Sequence, residues 1–119
     1  MKSEQDILNI INYSMGTTAY HRFNPSGSYP VITDGVLALV EAAECLWLLD
    51  IIGSYQGDKK LDPFFQVWEL KVLPDARATI CGYNDEDLIV QQEISYTDFP
   101  LDELKLYLID GIILLPAEY

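Results

Sequence analysis

The sequence predicts an α+β domain in which N-terminal helices pack on one face of a small antiparallel sheet of consecutive hairpins. Up to about residue 55 the apolar residues recur at helical spacing, and beyond residue 64 they alternate with polar ones in short runs separated by turn residues. A chain of 119 residues, half of them apolar, can also bury one core without disulfides or a metal. The whole chain, 1–119, is therefore read as a single domain. Its helical part covers about 1–57, with a short strand near 17–23, and its sheet part about 64–115.

Ser3 before Glu4, Gln5 and Asp6 is a helix start, with a hydroxyl to cap and acids facing the positive end of the helix dipole. Ile7, Leu8, Ile10 and Ile11 follow as a broad apolar face, giving a helix over about 4–14. The run from Thr17 to Phe23 is rich in β-branched and aromatic residues and predicts a strand, followed by a turn over Asn24–Ser28. Pro30-Val31-Ile32 is a second short extended piece. Thr33 or Asp34 can cap the next helix. If that helix ran straight to Ile52, Asp50 would lie about 180° around the axis from Glu41 and one of the two charges would face the core. A break near Ala43 to Cys45 removes the conflict, giving helices over about 34–43 and 45–55.

After the polar linker Gly57–Pro63, Phe64 to Val72 reads as a strand with Phe64, Trp68, Leu70 and Val72 on one face and Glu69 and Lys71 on the other. Ala76–Tyr83 and Leu88–Ser95 form a hairpin around Asn84–Asp87, with Leu88, Val90 and Ile94 inward. Pro100 makes a corner. Leu104, Leu106 and Leu108 alternate with Lys105 and Tyr107, although Asp102-Glu103 could instead open a helical turn. Asp110-Gly111 is a hairpin turn leading into Ile112–Leu115.

Lys and Arg total 7 against 19 Asp and Glu, a net charge of −12. Residues 1–81 carry a net −4, whereas residues 82–119 carry nine acids against Lys105 alone, a net −8. Such a field repels phosphate backbones and anionic lipid, so neither direct nucleic-acid binding nor membrane binding is expected. The most apolar stretch, Val36 to Ile52, includes Glu41, Glu44 and Asp50, each costing about 2.5–3.5 kcal/mol near a membrane centre. Ser3 to Asp6 stand where a leader would be apolar, and Cys45 and Cys81 lie in apolar runs, so a cytoplasmic protein with reduced thiols is expected.

Metal chemistry has little to work with. Two separated Cys and one His do not make a zinc site, and Asn84–Asp87 lacks the spacing and Gly of an EF-hand loop. There is no Gly-rich phosphate loop and no Gly-x-Ser-x-Gly elbow, so no cofactor, metal or catalytic residue is assigned and the chain is read as a non-enzyme. The alternative is a small enzyme or ligand-binding protein using Asp34, Asp50 and His21, because both carboxylates adjoin apolar segments and His21 is the sole imidazole.

Thr33-Asp34-Gly35-Val36, Trp47-Leu48-Leu49-Asp50, Phe65-Gln66-Val67-Trp68, Tyr96-Thr97-Asp98-Phe99-Pro100-Leu101 and Leu115-Pro116-Ala117-Glu118-Tyr119 are landmarks. Through them residues 33–119 resemble an uncharacterised domain-of-unknown-function family of short proteins from bacteria, phage and plasmids. The resemblance implies a family fold and a mobile-element setting, and it brings no catalytic residue or ligand.

The expected function is that of a small acidic protein-binding module, which in such a setting could be a DNA-mimicking, anti-defence inhibitor covering the basic nucleic-acid groove of a host defence or DNA-processing protein. The partner-binding residues expected are Asp85, Glu86, Asp87, Glu93, Asp98, Asp102 and Glu103. A structural homo-oligomer, in its simplest form a homodimer, is a further reading, because Ile113 and Leu115 would need cover on the second face of a thin sheet.

Overall fold

A computed structural model describes residues 1–14, 16–25 and 29–119. Ser3 caps α1 (Glu4–Tyr13), its Oγ accepting the Asp6 N–H at 3.2 Å. Thr33 rather than Asp34 caps α2 (Asp34–Ala43), its Oγ1 accepting from Val36 N at 3.2 Å. The helix stops at Glu44, which adopts the left-handed conformation (φ 53°), and α3 (Leu46–Ser54) begins after Cys45. The break falls where the charge periodicity demands one, and it leaves both Glu41 and Asp50 exposed.

Seven strands form one sheet. These are β1 (His21–Arg22), β2 (Val31–Ile32), β3 (Phe65–Val72), β4 (Ala78–Asn84), β5 (Asp87–Ile94), β6 (Glu103–Ile109) and β7 (Ile112–Leu114), in spatial order β1-β2-β7-β6-β3-β4-β5. The class is α+β and all neighbours are antiparallel except β2 and β7. The hairpins are not wholly consecutive, because β6 returns beside β3 instead of β5. The 95–102 connection runs across the ends of β4 and β3, tied by Thr97 N to Ala76 O (2.8 Å) and Val72 N to Asp102 O (2.7 Å), with Phe99 buried beneath it. Strand pairing begins at Glu103, so the helical turn at Asp102-Glu103 does not form. Asp110 and Gly111, at φ 50° and 78°, turn β6 into β7.

The helices cover one face. Trp68, Leu70, Ile80, Leu104, Leu106 and Leu108 meet Ile7, Leu39, Leu49 and Ile52 in a single core. Gln66 also faces inward and is 1% exposed. All its amide valences are used: Nε2 donates to Gln56 Oε1 and Asp62 O, both at 2.9 Å, while Oε1 accepts from Gln56 Nε2 (3.0 Å) and Trp68 Nε1 (2.9 Å).

Several expectations need correction. Phe64 precedes β3 and is 69% exposed instead of joining the core face. Leu88 is also exposed, because a register shift between Gly82 and Tyr83 leaves Ile89 unpaired and breaks the inward alternation that Val90 and Ile94 keep. The strand expected over 17–23 shrinks to His21–Arg22, since Thr17 and Thr18 bond Asp34 rather than a ladder. Ile113 and Leu115 are fully buried within the chain, so they do not call for a second copy to cover them. The turn expected at Asn24–Ser28 extends into residues 26–28, outside the described residues.

Candidate functional site

The seven acids expected to bind a partner are all exposed, and none joins a salt bridge or a side-chain hydrogen bond among the described residues. They do not form one patch. Asp85, Glu86 and Asp87 make the β4–β5 turn at one end of the sheet, whereas Asp98, Asp102 and Glu103 lie at the other, with Glu93 near them opposite Thr79. Along β4 from Ala78 to Asn84 these ends are about 20 Å apart, at about 3.3 Å per residue.

Between the two ends lies the sheet face that the helices leave open. Alternation puts Phe65, Val67, Tyr83 and Tyr107 there, on cross-strand rows that pair Val67 with both Tyr83 and Tyr107. Phe65, Tyr107 and Tyr119 form a ring cluster with centroids 5.7, 6.2 and 5.5 Å apart, the pairs with Tyr119 edge-on. A shallow cleft of about 450 Å³ beside them is lined by Phe65, Tyr83 and Tyr107, with Asp85 and Glu86 and also Lys71 and Lys105 in its walls. Partial burial raises the Tyr83 phenol above its ordinary range, with Cys81 and the Glu69 charge adding to the shift. Sequence reasoning missed this cluster, although a signal existed: these outward strand positions carry rings where a solvated sheet face would carry polar side chains.

The enzyme reading required Asp34, Asp50 and His21 together. Two of them meet, His21 Nε2 lying 2.7 Å from Asp34 Oδ1. Asp34 Oδ2 also accepts from Thr18 N (2.8 Å) and Thr18 Oγ1 (3.0 Å), so hydrogen bonds from His21 first, then Thr18, hold this carboxyl well below the usual carboxylate range. Asp50 is exposed on α3 and bonds neither. The neighbouring cleft of about 300 Å³ is lined by Thr17, Thr33 and Glu118 and not by the His21–Asp34 pair. These contacts fix the entry of the chain into α2; they do not assemble the three-residue site. No group of three metal-ligating side chains occurs among the described residues, and no helix there is long and apolar enough to cross a membrane.

A family model described as a family of unknown function, DUF6876, matches residues 5–119. The chain belongs to DUF6876. No curated protein and no solved structure matches it. In this DUF6876 chain several landmark residues are framework, whereas Tyr96 and Tyr119 in the same segments are exposed. Thr33 caps α2 and donates to Glu118 Oε1 (2.7 Å), Gln66 holds Trp68, the Thr97 hydroxyl accepts from Phe99 N (3.1 Å), and Leu115 is fully buried. Membership therefore carries the fold and assigns no ligand or site.

Proposed function

We propose that this DUF6876 chain is a binding module for a protein with a basic surface, engaged through the open sheet face and its acidic ends. The observation that carries the reading is the state of the seven acids: every one is exposed and none is in a salt bridge among the described residues, although Lys71 lies across the ladder from Glu103. On a chain of net charge −12 such carboxylates steer a basic partner inward, and aromatic rings supply the desolvated contact that holds it. In its finer form the module is a mobile-element inhibitor, cytoplasmic and without a cofactor. Its two clusters of carboxylates would then stand in for phosphates at the nucleic-acid groove of a defence or DNA-processing protein.

Affinity capture from host extract at low and high salt tests this with three baits: the native chain, Asp85→Lys with Glu86→Lys, and Asp102→Lys with Glu103→Lys. The expected result is a basic protein retained by the native chain at low salt, released as salt rises, and retained at least tenfold less by either variant. Recovery of the same proteins by all three baits would overturn the reading.

A further inference from the structure

The open face is not the only unpartnered part of the sheet. β5 is the last strand, paired with β4 alone, and among the described residues the backbone of Asp87–Ile94 makes no bond to any other element. Beyond the irregularity at Ile89, Val90 to Ile94 is a regular edge whose outward N–H and C=O groups are free. No proline or lysine guards it. On the helix side the edge opens into a cleft of about 540 Å³ lined by Trp47, Ile51, Gln92, Ile94, Tyr96 and Asp98, with no cation in its walls. Arg77, next to the β4 residue that pairs with Ile94, is held by Asp75 at 2.6 Å.

We infer that the β5 edge accepts an extended segment of the basic partner as an added strand, with its side chains alternating between apolar and basic. The inference rests on the binding reading above and names the part of the partner involved. Side chains on one face of the added strand sit beside Val90, Gln92 and Ile94 and reach Trp47 and Ile51, which suits apolar residues. Those on the opposite face sit beside Gln91 and Glu93, which suits lysine or arginine. A second copy of this chain fits worse. Antiparallel pairing centred on Gln92 would set Gln91 against Glu93, supply no cation, and bring together two molecules of charge −12.

The test is an amide NMR and hydrogen-exchange titration of the full chain with three synthetic nine-residue peptides. One alternates lysine and valine, one has the same composition in two blocks, and one is the alternating peptide with a fully N-methylated backbone. The expected result is slowed exchange confined to Val90–Ile94 with the alternating peptide, binding at least tenfold weaker for the other two, and a loss of at least tenfold in Glu93→Lys, an exposed position that folding tolerates. Equal binding of all three peptides would overturn the inference by showing charge attraction alone. So would protection of the same amides by raising protein concentration without peptide, which is self-pairing. A partner captured through Asp85 and Glu86 that leaves the β5 amides unchanged would overturn the added strand while the binding reading stands.

Discussion

Replacing Gln66 with leucine removes four hydrogen bonds while keeping the side-chain volume close. Gln56 is half-exposed and recovers water, but the indole N–H of Trp68, 2% exposed, has nowhere else to donate. An orphaned buried donor costs about 1–3 kcal/mol, and the Asp62 carbonyl adds about 1 kcal/mol. The sum is about 2–4 kcal/mol, or about 10 °C in Tm for a chain of this length. Urea unfolding followed by tryptophan fluorescence measures it, with an unchanged m-value expected. Gln66→Glu sharpens the test. A protonated glutamic acid keeps a donor, whereas its anion at this depth is unpaired, so burial raises the folded-state pKa above the unfolded value of about 4.3. Its deficit relative to the native chain should then be smallest below about pH 4 and grow as pH rises through the raised pKa. A loss under about 0.5 kcal/mol in Gln66→Leu, or a Gln66→Glu deficit flat with pH, would refute the reasoning.

Gly82→Ala should cost about 1–3 kcal/mol in the same assay, because a Cβ there comes within 2.8–2.9 Å of the Trp68 ring, and the cost should shrink in a Trp68→Leu background. Thr33→Ala and Glu118→Ala should each lose about 1 kcal/mol or more, and their double mutant should lose less than the sum, because the Thr33 hydroxyl accepts from Val36 N while donating to Glu118. Asp34→Asn should lower Tm at neutral pH. The Asp34 pKa is depressed in the fold, so its contribution is present above the unfolded pKa of about 3.9 and is lost as pH falls through the folded one, and the native and variant melting curves should converge in strong acid.

Much of the fold was legible because local signals acted alone. The helix break at Glu44 followed from two charges that one cylinder could not both expose, and the Asp110-Gly111 turn from residues that tolerate positive φ. What escaped was non-local. Nothing in Leu88 itself announces the shift at Ile89 that turns it outward, and nothing near Glu103 says that β6 will cross back to β3. The acids of the candidate surface were legible one by one, but their division between two ends depends on that crossing. Asp34 was legible as a residue near a helix start, yet its role depends on His21 returning from 13 positions earlier.

The parallel contact of β2 with β7 has a further consequence. By setting Val31 and Ile32 beside Ile112 and Ile113, it brings Thr33 next to the chain's last turn, where Glu118 Oε1 accepts from both Thr33 and Leu115 N (3.0 Å). The Glu118 carboxylate lies against the first turn of α2 at Gly35, where the helix dipole favours a negative charge. Tyr119 is one residue beyond, and its ring completes the cluster with Phe65 and Tyr107. The cap of a helix on one side of the sheet thus positions an aromatic ring on the other. One peptide bond joins Glu118, bonded to the α2 cap, to Tyr119 in the ring cluster.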